Sequence, residues 1–103
     1  MTEQQKTNML SMIKVDLGIT TMAYNGRLGD YLQSAESQIR REGITLDLES
    51  LDDCQLVVMY AAWMWRKRDF TARYVGETST GMPRMLRYAL NNRLFSEKVK
   101  TDG

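Results

Sequence analysis

The 103-residue chain contains no histidine, a single cysteine and a single proline. Without histidine it lacks the commonest general base, the commonest metal ligand and the usual switch near neutral pH. The lone cysteine, Cys54, can neither close an internal disulfide nor anchor a thiolate metal cluster, and it suits a reducing compartment. With Pro83 the only proline and seven glycines in all, long helices meet few interruptions. The longest apolar run, Leu56 to Trp65, covers ten residues, where a membrane-spanning helix needs about 20. The stretch Met1 to Lys6 is polar, unlike a secretory signal. The expected setting is therefore soluble and intracellular when the chain is made, with no membrane partner.

What is present is ordinary globular composition. Hydrophobic residues make up 43% and charged ones 26%, which argues against a disordered chain. The length fits one domain over 1–103 with one modest core, and an interface with other subunits can supply part of its stability. Residues 1–6 and 96–103 read as flexible tails. Charge is uneven. Residues 1–65 hold five basic and nine acidic groups, a net of −4, whereas residues 66–103 hold nine and four, a net of +5. That asymmetry suits head-to-tail subunit contact or a basic face turned to a polyanion, and equally an unremarkable solvated surface.

The fold class read from periodicity is all-α, a small bundle of about four helices with a long loop before the last. A first helix runs from Thr7 or Asn8 to Leu17, with Leu10, Ile13 and Leu17 on one face. Gly18 followed by Ile19 reads as a left-handed stop. In the second helix Tyr24, Leu28, Tyr31, Leu32, Ala35 and Ile39 repeat with a 3.6-residue period. Thr20 or Thr21 is its candidate cap and Gly43 its stop, while Gly26 and Gly29 weaken its first turns. Ile44 to Leu48 alternates apolar and polar, as a short extended connector does.

Ser50 to Asp53 resembles a capping box opening a third helix, Leu51 to Lys67. This helix is apolar around its whole circumference at Leu56 to Trp65, so every side needs cover, and a partner subunit is an economical source. Asp69 to Gly81 shows no helical period and reads as an interaction loop, since loops this long are usually functional or disordered. The fourth helix opens with Pro83 and carries an apolar stripe of Met82, Met85, Leu86, Ala89, Leu90 and Leu94.

No catalytic set assembles, and no catalytic, cofactor or metal residue is expected; the chain reads as no enzyme. Asp52 and Asp53 are neighbours that do not face each other on a helix, and both serve as helix-start acids. Cys54 has no histidine to activate it and reads as a small core residue. Gly76 to Gly81 lacks the lysine of a phosphate-binding loop. Trp63 and Trp65 with Tyr60 suggest a stacking platform for single strands, although packing is the commoner use of such residues. Arg66, Lys67 and Arg68 complement the negative end of a helix; joined by Arg73, Arg84 and Arg87 they make a basic surface for a partner. Arg93, near the apolar stripe, reads either as a snorkelling side chain or as an intersubunit ion pair with an acid of the negative half.

The order of elements resembles a known family. The residues that carry the likeness are Leu17 to Ile19, then Tyr31, Leu32, Ala35 and Ile39, then Arg66 to Arg68, and above all Gly81 to Leu94 with Met82, Pro83, Leu86 and Asn91 to Leu94. Over roughly Leu10 to Lys98 the chain is similar to the head–tail connector proteins of long-tailed phages and prophages, the adaptor or head-completion proteins of DNA packaging. It departs from them at Asn25 and Gly26, where members commonly carry an acid. The resemblance implies a virion protein at the head–tail interface, made in the host cytoplasm. It would form a homo-oligomeric ring of about a dozen copies below the portal protein, meet a downstream stopper or tail-completion protein, and let DNA pass with transient, non-specific contact. It also implies that about Leu94 to Lys100 helps engage the portal.

Trp63, Trp65, Arg66 and Arg68, then Phe70, Arg73 and Tyr74 of the loop, then Arg84, Arg87, Arg93, Leu94 and Phe95 are the candidate subunit or portal interface. The competing reading from another class is a small helical DNA-binding regulator of a mobile element, drawn from the basic second half. A recognition helix needs a tight turn ahead of it, which the gap before the fourth helix does not supply.

Overall fold

Leu56 to Ala62 explain the architecture, because six of these seven residues are buried and together they face every direction around their helix. In a computed structural model that describes residues 1–73 and 82–102 (side chains for 1–68 and 82–97), that helix is the central rod. Among the described residues there are four helices and no strand: α1 (Glu3–Leu17), α2 (Asn25–Arg41), α3 (Leu51–Arg73) and α4 (Arg84–Asp102). The all-α bundle expected from the periodicity is what forms. None of these helices is long and apolar enough to cross a membrane.

α1 starts earlier than its apolar period suggests. Thr2 accepts a hydrogen bond from the Gln5 N–H at 3.1 Å, and the Gln5 side chain accepts from the Thr2 N–H at 2.9 Å. This capping box satisfies two end donors at once. Residues 3–6 are thus helical, not a loose tail, and the Met1 ammonium lies 3.7 Å from Glu36 of α2. Gly18 ends α1 at φ +69, and Ile19 N–H bonds Lys14 O at 2.9 Å, the left-handed stop read from the sequence.

α2 begins at Asn25 with Tyr24 as its cap position and no side-chain cap; Thr21 Oγ1 instead accepts from the Ala23 N–H. Its inner face is Leu28, Leu32, Ala35 and Ile39, all buried, while Tyr24 stands outside the helix and exposed. Gly43 turns the chain at φ +97. The connector alternates as expected, with Ile44, Leu46 and Leu48 buried and Thr45 and Asp47 exposed.

α3 continues to Arg73, six residues beyond the expected end at Lys67, since no glycine or proline interrupts it there. The first part of the anticipated loop is therefore helix, and residues 74–81 lie outside the described residues. At its start, Asp53 is turned to Arg93 and to the Asp47 N–H, not to a capping box with Ser50. The chain covers most of this rod by itself, leaving less for a partner subunit than the sequence suggests. The small Ala61 and Ala62 let neighbours approach closely, and the connector supplies an additional wall. Cover stops at Met59, 37% exposed, and at the half-buried Trp63, Met64 and Trp65.

α4 starts one residue after Pro83, whose carbonyl accepts from the Arg87 N–H at 3.0 Å, and runs to Asp102, so residues 96–102 are helix and not a loose tail. Leu86 and Leu90 face the core, but Met85 is 78% exposed, because neighbours on a helix cannot both point inward.

α3 packs against all three other helices, and α1 and α4 occupy different sides of it. Asp53 of α3 faces the α4 side through Arg93. Gln55 and Val58 line a groove with Met12 and Asp16 of α1. Gln55 and Val58 follow Asp53 by two and five residues, about 200° and 140° around a helix of 3.6 residues per turn. The body measures 47 × 36 × 18 Å with a radius of gyration of 14.5 Å, larger than the roughly 13 Å typical of 100 compact residues.

Candidate interaction surfaces

The tryptophans sit where α3 outruns its cover. A spacing of two residues sends their rings in different directions. Trp63 meets Tyr60 edge-on, with centroids 5.4 Å apart at 88°. Trp65 meets Tyr31 of α2 at 5.3 Å and Tyr24 at 5.7 Å. Such edge-to-face pairs add about 0.5–1.5 kcal/mol beyond burial. A cation covers each indole: Lys67 Nζ lies 5.2 Å from the Trp63 ring and the Arg68 guanidinium 5.1 Å from that of Trp65. The two rings therefore do not form one platform for successive bases.

Between α2 and α3 these residues leave an open cavity of about 590 Å³, lined by Tyr31, Gln38, Tyr60, Trp63, Met64, Lys67 and Arg68. Apolar walls with two cations at one end match an apolar partner segment that carries an acid. Burial pushes the Tyr60 hydroxyl above its ordinary pKa, and Glu42 adds to this against the opposing charge of Arg87. The phenol thus stays neutral, a hydrogen-bonding edge of the cavity and not a base.

The cations predicted to meet a partner divide into two groups. Arg66 is exposed and donates to Asp16 O at 3.2 Å, tying α3 to the end of α1; Arg68 covers Trp65; Arg84 is exposed in the first turn of α4. Arg87, by contrast, is paired within the chain, 2.7 Å from Glu42. Arg93 is paired too: Nη1 and Nη2 both engage Asp53, Nε lies 3.2 Å from Glu97, and Nη2 donates to Thr45 O at 2.8 Å. Arg93 forms an ion pair within the chain, with an acid of the negative half, in place of the intersubunit pair that was one of its two readings. Its physical cause is the packing of α4 on α3, which brings Asp53 within reach inside the single chain.

This clasp also serves the connector. Glu97 accepts from the Thr45 N–H at 2.9 and 3.0 Å, Asp53 from the Asp47 N–H at 2.7 Å, and Leu46 O accepts from Arg40 at 3.3 Å. An extended segment without strand partners has its backbone groups satisfied by side chains in this way. Burial raises the Asp53 carboxyl, but the Arg93 hydrogen bond, the Asp47 N–H and the charges of Arg93 and Arg40 outweigh it, and its pKa lies below the ordinary value. The same contacts with Asp53 hold Arg93 above its ordinary value against desolvation. Sequence reading missed Glu97, Glu42 and Thr45, which carry no local motif.

No protein-family model, characterised protein or solved structure matches this chain. Its surfaces carry the functional argument.

Leu94 is half-buried with its Cδ1 near Gly43, and Phe95 is 69% exposed on the far side of α4. Of the loop residues, the side chains of Phe70 and Arg73 and the whole of Tyr74 lie outside the described residues. Cys54 is half-buried, with its Sγ 3.1 Å from Leu48 O as a weak donor. Burial raises the thiol pKa, and Asp53, Glu49 and Asp47 raise it further. A neutral thiol is a poor nucleophile.

Proposed function

We propose that this chain is a structural adaptor subunit of a tailed-phage head–tail connector, a ring part below the portal through which DNA passes, and not an enzyme. The observation that carries the reading is apolar surface left without cover in so small a domain. Trp63, Met64 and Trp65 are only half-buried in the second half of α3, and Met85, Tyr88 and Phe95 are exposed along α4. Large apolar side chains grouped on a surface mark contact sites. The likeness of Gly81 to Leu94 and the preceding helices to the connector family supports the same reading.

The partners are further copies of the chain, a portal protein above and a stopper or tail-completion protein below, and the location is the head–tail interface of the virion. Contact with DNA in the lumen is weak and independent of sequence, because tight phosphate binding would obstruct passage. The pairing of Arg87 and Arg93 within the protomer leaves fewer cations for DNA and weighs against the regulator reading.

Native mass measurement with and without the portal protein tests this. A closed oligomer in the portal's presence is expected. A protein that stays monomeric at every concentration and ignores the portal refutes the proposal, as does nanomolar binding to a specific short duplex at physiological salt.

A further inference from the structure

The outer face of α4 holds Met85, Tyr88 and Phe95, spaced at i, i+3 and i+10 and 78%, 58% and 69% exposed. That spacing keeps them within about 80° of one another, opposite the buried Leu86 and Leu90. Arg84 flanks the stripe at its start. Three large side chains more than half open present on the order of a few hundred Å² of apolar surface, less than the roughly 800 Å² per partner of a stable interface. One such stripe is therefore only part of a contact.

A second uncovered surface lies on the side of α3 that carries α1. There, Met12 and Asp16 of α1 and Gln55, Val58 and Met59 of α3 line a groove of about 260 Å³, room for one aromatic side chain. Val15 at 82% and Leu51 at 65% exposure extend it as apolar surface. Asp16 and Asp52 are exposed along it and make it acidic, and Arg66 is the cation at its far end, on Asp16 O.

We infer that these two edges bind each other between copies, the α4 stripe of one protomer lying on the α1–α3 groove of the next. Three observations select this occupant. The apolar surfaces match in kind. Their charges are complementary, a cation at Arg84 against carboxylates at Asp16 and Asp52, whereas a parallel pairing of two α4 stripes sets Arg84 against itself. The edges also lie on nearly opposite sides of α3. An isologous dimer uses one patch twice, but two different patches on opposite sides generate a head-to-tail series, which is a ring when the rotation between copies closes and a filament when it does not. The inference deepens the ring reading above by assigning the surfaces that make the ring.

Disulfide trapping in the full chain tests it. In a Cys54→Ser background, Tyr88→Cys and Met59→Cys proteins are mixed at high concentration, with and without portal protein, and oxidised. A cross-link between positions 59 and 88 is expected to dominate. Products linking 88 only to 88, or no 59–88 product up to millimolar protein, overturn the assignment. Phe95→Ser, which leaves helix content unchanged because the ring is exposed, is expected to weaken self-association at least tenfold. Arg84→Glu is expected to weaken it likewise, and Arg84→Glu with Asp52→Lys to restore it; unchanged association in both single variants overturns the assignment. A closed oligomer that forms on the portal without the 59–88 link refutes this pairing and leaves the ring reading standing. Absence of any association in the Cys54→Ser parent protein, with the portal included, refutes both.

Discussion

Arg93 and Asp53, forty residues apart in the chain, are held together by two guanidinium nitrogens on one carboxylate, with Nη2 3.0 Å from Oδ2. Asp53 is almost fully buried and Arg93 about one-third exposed. A forked contact of this kind fixes direction as well as charge. It fastens α4 to the start of α3 and, through Thr45 and Asp47, closes the connector between them.

Asp53→Asn is therefore expected to destabilise the protein by about 2–4 kcal/mol, since Arg93 loses its buried charge partner and keeps the more exposed Glu97. Urea unfolding at pH 7 measures this, and a change below about 0.5 kcal/mol refutes the clasp. The pKa of Asp53 is depressed in the folded state, so its stabilisation is fully present above the ordinary carboxylate range and is lost as pH falls through the folded value. The wild-type protein should lose stability below about pH 5 more steeply than the variant. Parallel pH profiles would contradict that.

Gly18 adopts φ +69 with open space around the position of an added Cβ. Gly18→Ala should cost about 1 kcal/mol from backbone strain alone. Gly26, also in open space but helical, should behave oppositely, Gly26→Ala adding up to about 1 kcal/mol. Thermal melts of the two variants should shift in opposite directions; a shared direction counts against this account.

Trp63 is half-buried, so Trp63→Ala should cost about 2 kcal/mol in the isolated protein, less than the 3–5 kcal/mol of a fully enclosed ring. Its fluorescence should respond to a partner that fills the cavity beside it. An unchanged melting temperature together with unchanged association would show that the indole contributes to neither.

Cys54 should react with a thiol reagent at pH 8 far more slowly than a free cysteine, because burial and three nearby acids disfavour the thiolate. Rate measurement in the folded and urea-unfolded protein checks this; equal rates would place the thiol in water.

Much of the bundle follows from patterns a few residues long. The inner face of α2, the stop at Gly18 and Ile19 and the alternation of Ile44 to Leu48 are all signals that act within one or two turns. The Thr2 and Gln5 capping box was equally present in the amino-acid order and marks where α1 begins. The uninterrupted stretches after Lys67 and Ser96, without glycine or proline, allow α3 and α4 to continue past their apolar periods.

Pairing across the fold obeys no such local rule. Nothing near Arg93 or Arg87 in the chain names Asp53 or Glu42, so the basic second half looked available to a partner. Composition and order determined the helices, their ends and the lack of histidine chemistry, because each depends on residues within a turn or on absence alone. Which charges are used internally, and which apolar faces stay open, was decided by the packing of α4 on α3, since burial and long-range ion pairs exist only once distant segments meet.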